Sequence, residues 1–238
     1  MTGATVLALW ADDPPAMKKI GMLTIGQSPR NDILPSMKEI LGDGFEIVEI
    51  GALDDLTLKD IKMIDVRPDD YVLVSRMRDG TEIKITKRFV LPLLQEKLVE
   101  LEDQGVRLTV VMCTGKFPQF ETRGIVFTPQ ETLKGVVKSA LKKGRLGVIY
   151  PTEEQMPHAQ QEFGSEDVAV YADSISPYDS DVKLQGLASR LKDQNLDFIV
   201  LNCFGFGAEL KKFLDEQMGK PVIQSNTFIA RVLRELSS

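Results

Sequence analysis

Two segments of this 238-residue chain run into the same chemistry. Leu108-Thr-Val-Val-Met-Cys113-Thr-Gly115 and Phe198-Ile-Val-Leu-Asn-Cys203-Phe-Gly205 are each a short apolar run followed by cysteine, one residue and glycine, and they hold both cysteines of the chain. A residue just past the last apolar position of a parallel strand sits on the carboxyl rim of the sheet, where ligands bind. There, helix N-termini and nearby cations can depress a thiol pKa from its free value of about 8.5. After Cys203, Gly205-Phe-Gly207 leads into a helical pattern whose amides would support a thiolate or an anion, and Lys116 adds charge after Cys113. If both sulfurs face one cleft, a thiol and a thiolate can take a proton from one face of a carbon acid and return it to the other. Backbone amides and hydroxyls would stabilise the carboxylate and its enolate-like intermediate without a cofactor. The same pair would also support nucleophilic addition to an activated double bond. Free cysteine also packs as a small buried hydrophobe, so a single strand-ending cysteine is weak evidence; its repetition is stronger.

Further candidates lie on the same rim. Gly26-Gln27-Ser28-Pro29-Arg30 follows the first strand, where Ser28 is placed to cap a helix and Arg30 to make a bidentate contact to a carboxylate. Ser75 and Arg76 end the run Tyr71-Val-Leu-Val-Ser75, with Arg76 a second anion clamp and Arg78 read as a solvated side chain. Ser225 and Asn226 precede the final helix and read first as its caps, with ligand contact the lesser option. His158 reads as a helix-surface residue, since nothing places it beside a nucleophile.

The elements that must position these groups alternate. Short apolar runs without alternation occur at Ile20 to Ile25, Glu46 to Ile50, Tyr71 to Ser75, Leu108 to Met112, Leu146 to Tyr150, Val168 to Tyr171, Phe198 to Asn202 and Val222 to Gln224. Strands of this kind are covered on both faces, which predicts a parallel α/β architecture. Glu82 to Thr86 alternates after Asp79 and Gly80 and predicts a hairpin with the strand before it. Helical stripes run through Val90, Leu94, Leu98 and Leu101; Leu133 and Val137; Leu187 and Leu191; Leu210 and Leu214; and Ile229 and Leu233. Thr128 with Glu131, and Thr152 with Gln155, have capping-box spacing. Lys19-Ile-Gly-Met-Leu-Thr-Ile-Gly26 resembles Arg145-Leu-Gly-Val-Ile-Tyr-Pro151, so each of two halves opens with one such strand and later presents its cysteine. The expected organisation is an addition over 1–17, a first half over 18–143, a second over 144–220, and a strand and helix over 221–238 returning to the first.

Composition excludes several classes. Twenty-nine Lys and Arg against 35 Asp and Glu leave a net charge of −6, a poor match to phosphate backbones or anionic membranes. One histidine and two cysteines fall short of a structural zinc set. No stretch approaches the roughly 18 apolar residues of a membrane span, so a cytoplasmic protein with reduced thiols is expected. Gly205-Phe-Gly207 lacks the third glycine of a dinucleotide fingerprint, Leu210 standing in its place, and Gly115-Lys116 lacks the rest of a phosphate loop.

Leu23-Thr-Ile-Gly26-Gln-Ser-Pro-Arg30, the two cysteine segments and the ending Pro221-Val-Ile-Gln-Ser-Asn226 together resemble the AroM family, within the aspartate/glutamate racemase superfamily. The resemblance implies two similar Rossmann-like α/β halves with mainly parallel sheets facing each other across a cleft, the last helix returning to the first half. It also implies an active site between the halves with no cofactor. Cys113 and Cys203 then match the two acid/base positions, and Thr114 and Gly115 match neighbours that hold a substrate carboxylate. Asn202-Cys203-Phe204-Gly205 stands where amino-acid racemases read Gly-Cys-Thr, closer to hydantoin racemases, and Phe204 makes that wall apolar. The implied function is a cofactor-independent racemase or isomerase acting on a small carboxylate or hydantoin-like carbon acid, in a layout compatible with a homodimer. The alternative is a small-molecule binding or sensor protein that keeps the cleft without turnover.

Overall fold

The computed structural model describes residues 18–179 and 181–237; the opening segment 1–17, expected as an addition, lies outside them. The first half runs β1 (Lys18–Thr24), α1 (Leu34–Leu41), β2 (Phe45–Gly51), α2 (Leu58–Lys62), β3 (Val72–Arg76), β4 (Glu82–Thr86), α3 (Lys87–Asp103), β5 (Leu108–Val111) and β6 (Ile125–Phe127). The chain continues through α4 (Pro129–Ala140), β7 (Gly144–Tyr150), a 3-10 turn at Glu153–His158, α5 (Ala159–Phe163), β8 (Val168–Ser174), α6 (Asp181–Lys192), β9 (Phe198–Leu201), α7 (Ala208–Met218), β10 (Val222–Gln224) and α8 (Ser225–Ser237).

Two four-stranded sheets share one topology. The first has order β2-β1-β5-β6 and the second β8-β7-β9-β10, every neighbouring pair parallel. The registers also match, Ile20 pairing Leu108 in one sheet and Leu146 pairing Phe198 in the other. The strand echo read from the sequence is thus one part of a strand-for-strand duplication. The antiparallel β3–β4 hairpin, expected from its alternation, belongs to the first half alone.

Each sheet is covered on both faces, which is why its strands carry no polar alternation. In β1, Ile20 and Met22 meet α1 and α8 through Met37, Leu41, Ile229 and Leu233, while Leu23 meets α3 through Leu94, Leu98 and Leu101. In the second sheet, Ile149 and Leu201 pack with Leu187 of α6 and Leu214 of α7, and Val148 and Val200 with Leu133 and Val137 of α4 and Phe163 of α5.

Several local expectations are corrected. Helix α4, placed in the first half by the expected boundary at 143, contributes its apolar stripe to the second half's core. Residues 221–238 divide: β10 stays paired to β9 in the second sheet, and α8 alone returns to the first half. Thr128 and Thr152 occupy helix N-cap positions without a side-chain cap bond, the Thr152 hydroxyl bonding Glu154 instead. Strand β6 follows a loop without periodic pattern, and its three residues, at the sheet edge, are too few to announce a strand.

Gly21 and Gly147 occupy equivalent places in β1 and β7, and both are demanded by close packing. A Cβ on Gly21 would lie 2.7 Å from Thr109 Oγ1, and one on Gly147 would lie 2.6 Å from Leu196 Cδ1. Gly21→Ala is expected to destabilise the chain by about 1–3 kcal/mol in denaturant unfolding. Gly147→Ala should cost less, because the end of the Leu196 side chain can yield. Gly135→Ala, in α4 with open space around it, should stabilise by roughly 0.5–1 kcal/mol. Equal effects at all three positions would refute this packing account.

Candidate functional site

Cys113 and Cys203 follow the ends of β5 and β9, the equivalent strands of the two sheets, and both line one cavity between the halves. Each sulfur accepts from the amide two residues on, Gly115 N–H to Cys113 Sγ and Gly205 N–H to Cys203 Sγ, both at 3.3 Å. The shared Cys-x-Gly spacing therefore has a shared purpose, a tight turn that brings an N–H back onto the sulfur. At Gly115 a Cβ would approach Leu73 Cδ2 to 3.0 Å, which keeps that position small. The buried Thr114 hydroxyl donates across the halves to the Asn202 carbonyl, 2.9 Å away, tying the two turns together.

Burial dominates the electrostatics. The Cys113 thiol is pushed up to about 12, chiefly by desolvation, with the neighbouring Cys203 adding to it and the Gly115 amide and Arg30 opposing it. Cys203 is pushed up to about 11, again by desolvation first, against the Gly205 amide and Arg30. The expected lowering of these pKa values by helix ends and cations is overturned: the backbone amides at each sulfur and the Arg30 guanidinium do not offset the loss of water. Both thiols are protonated at neutral pH in this closed arrangement. The cavity itself leaves about 20 Å³ for the centre of a water molecule, room for about one.

Arg30 is buried and lines the cavity, yet its carboxylate is already within the chain. Nε and Nη2 grip the two oxygens of Asp32 at 2.9 and 2.7 Å, Nη1 reaches Thr24 Oγ1 at 3.1 Å, and Nη2 also donates to the Tyr178 hydroxyl at 3.1 Å. The bidentate contact foreseen for a ligand is made to Asp32. Its pairing with Arg30 holds the Asp32 carboxyl below the ordinary range against the opposing effect of burial.

Other residues of the Gly26–Arg30 turn are engaged inside the protein. The Gln27 amide donates to the carbonyls of Leu53 and Leu56 and accepts from the Arg78 N–H. Ser28 donates from backbone and hydroxyl to Asp54, so it caps no helix; α1 starts later, with Ile33 at its N-cap. Arg78, exposed as read, also braces this turn through the Ser28 carbonyl at 2.5 Å and Asp54 at 3.2 Å. Gly26 admits the turn against β3, since a Cβ there would lie 2.3 Å from Ser75 Oγ. Ser75 is buried, and among the described residues its hydroxyl has no partner. Arg76 stands 3.8 Å from Asp32 and over the Tyr178 ring.

On the opposite side, Phe204 and Gly205 line the cavity, and Phe204 is buried in the first half's core. The loop that carries them is held from behind. The Asn226 amide donates to the Phe204 and Phe206 carbonyls at 2.8 and 3.0 Å, and Gln224 donates to Phe206. Ser225 and Asn226 thus serve this loop rather than capping α8, the Ser225 hydroxyl bonding the Leu201 carbonyl.

Tyr178, not singled out in the sequence, and Gln155, read there only as a capping-box partner, also line the cavity. Gln155 donates to the Val72 carbonyl, joining the second half to the hairpin. Tyr178 was hidden because β8 extends to Ser174, beyond the apolar run ending at Tyr171, so that the true rim lies further along the chain. His158 stacks on Tyr71, ring centres 5.7 Å apart, away from both thiols' cavity lining. Among the described residues no three His, Cys, Asp or Glu side chains gather as metal ligands, and no helix is long and apolar enough to cross a membrane.

Below a thiol's pKa the thiolate fraction rises tenfold per pH unit, so alkylation of both cysteines in the folded chain is expected to climb about tenfold per unit from about pH 7 to about pH 10. It should show no plateau near 8.5, where a free thiol levels off. Mass spectrometry of time-quenched samples reads this out. A plateau near neutral pH would refute the protonated, desolvated pair.

Residues 20–237 match the family model described as AroM protein. No curated protein matches the chain. Among solved structures it is similar to allantoin racemase from Pseudomonas fluorescens, with TM-score 0.60 and 13% identity over 92% of this chain and 91% of that one. It is also similar to glutamate racemase from Aquifex pyrophilus, TM-score 0.56 and 18% identity over 92% and 83%. The maleate isomerase Iso from Pseudomonas putida S16 gives TM-score 0.56 and 14% identity over 92% of each. These likenesses show a shared fold of two α/β halves. With the family match spanning nearly all the described residues, the chain belongs to the AroM family.

Proposed function

We propose that this protein is a cofactor-independent racemase or isomerase-like enzyme in which Cys113 and Cys203 form the acid/base pair, acting on a small carboxylate or hydantoin-like carbon acid. One observation carries the reading: two equivalent strand ends, one from each half, bring their sulfurs to a single cavity with matching amide contacts. The solved structures of the same fold include racemases, an isomerase and arylmalonate decarboxylase.

The chemistry is a two-base proton exchange. One thiolate takes the proton from the substrate carbon, the bonding pair delocalises onto the adjoining carbonyl oxygens, and the other thiol delivers its proton to the opposite face. The roles of the two sulfurs are then reversed for the next substrate. Either sulfur can take the thiolate role, since each has an amide contact and Arg30 opposing the effect of burial. Because burial keeps both sulfurs protonated here, one proton must leave to solvent while the halves are apart, before the substrate is enclosed. The same reading places the chain in the cytoplasm, where both thiols remain reduced, and is compatible with a homodimer.

The second reading, a binding or sensor protein without turnover, is favoured by the high thiol pKa values, which are those of inert buried cysteines. Deuterium incorporation at the α-carbon in heavy water, across a panel of small carboxylates and hydantoins, separates the two. An enzyme exchanges at least one of them, with Cys113→Ser and Cys203→Ser each lowering the rate by about 100-fold or more, the usual scale of one acid/base group. Ligands that raise the melting temperature with no exchange would establish binding alone. Exchange undiminished in both variants would remove the cysteines from the mechanism.

A further inference from the structure

Tyr178 is the group in the cavity that the proposed proton exchange does not use. It comes from the β8–α6 loop of the second half, yet its hydroxyl accepts from Arg30 of the first half at 3.1 Å. It also stands beside the Cys203 turn, 3.5 Å from where a Cβ on Gly205 would lie. The Arg76 guanidinium sits 5.2 Å from the centre of its ring. Burial raises the Tyr178 pKa, so the phenol keeps its proton. With one lone pair taken by Arg30, and with no acceptor for its O–H among the described residues, the hydroxyl is left with a hydrogen to donate.

The charges around it are nearly balanced before any ligand arrives. Arg30 is the one charged lining residue among those described, and four of its five N–H groups are engaged, one at Nε, one at Nη1 and two at Nη2. It therefore has a single N–H left and cannot clamp a second carboxylate in bidentate fashion. Arg30 and Arg76 face Asp32 and Glu49, and Glu82 acts on Cys203, so no net positive charge is left on this side of the cavity. The remaining walls, Ile25, Leu73, Val74, Met112 and Phe204, are apolar.

We propose that Tyr178 sets the ligand specificity of the cleft: its hydroxyl, oriented by Arg30, donates to the single carboxylate of a monoanion bearing an apolar substituent, and dicarboxylates are rejected. This rests on the cleft being the ligand site assigned above, but on recognition alone and not on proton exchange. A second carboxylate would have to lie against the apolar walls, where no charged residue other than Arg30 lines the cavity, at the cost of desolvating an unpaired charge.

Two alkylating reagents of nearly equal shape test this without a known substrate. Iodoacetate carries a carboxylate and iodoacetamide does not, and N-acetylcysteine supplies their intrinsic rate ratio in solution. In the folded protein at fixed alkaline pH, Cys203 should favour iodoacetate over that reference. Tyr178→Phe should lower the preference by roughly tenfold, the scale of one hydrogen bond to a charged group. A melting curve equal to that of the unaltered chain shows that this variant is folded. As a measurement on the unaltered chain, phenylacetate should slow iodoacetamide labelling and raise the melting temperature, and succinate should do neither. A ratio equal to that of N-acetylcysteine, a preference unmoved in a folded Tyr178→Phe, or protection by succinate as strong as by phenylacetate would overturn the proposal. So would thiols that take up neither reagent in a chain whose melting temperature phenylacetate leaves unchanged. Anion preference without deuterium exchange would keep this recognition and remove the proton chemistry, and exchange without anion preference would do the reverse.

Discussion

Desolvation of two sulfur atoms where two sheet rims meet is the constraint on which the site depends. A parallel sheet covered on both faces leaves only its strand ends open to a ligand, and duplication of the sheet supplies two such ends. Bringing them together buries Cys113, half-buries Cys203, and drives their pKa values far above that of a free thiol. The amides of Gly115 and Gly205 oppose this without reversing it.

The contacts that close the cleft come from many parts of the chain. Thr114 bonds the Asn202 carbonyl, Arg30 bonds Tyr178, Gln155 bonds the Val72 carbonyl, and Phe204 enters the opposite core. The β3–β4 hairpin, which has no counterpart in the second half, adds Leu73 and Val74 to the cavity wall and carries Arg76. One half thus contributes more apolar surface and more positive charge than the other. A symmetric pair of thiols sits in an asymmetric pocket.

The network around Gln27, Asp54 and Arg78 shows how a motif that looks made for ligand binding can serve the scaffold. Residues at a rim face two demands, satisfying buried backbone groups and meeting a ligand. Gln27 and Ser28 answer the first, and through them Arg30 is fixed in place. Asn226 does the same for the Cys203 loop, holding the Phe204 carbonyl and, together with Gln224, the Phe206 carbonyl.

Local pattern alone determined the alternation of covered strands and amphipathic helices, the hairpin at Glu82–Thr86, and the pairing of Cys113 with Cys203 as equivalent positions, because burial periodicity and a Cys-x-Gly repeat are written in consecutive residues. Tertiary structure decided what depends on neighbours distant in the chain. It engaged Arg30 with Asp32 and left Tyr178 with a hydrogen to donate, and it drew α4 into the second half and α8 into the first. It also raised the thiol pKa values where rim exposure suggested lowering, since solvation at a cleft is set by how closely two halves approach and not by the residues flanking either cysteine.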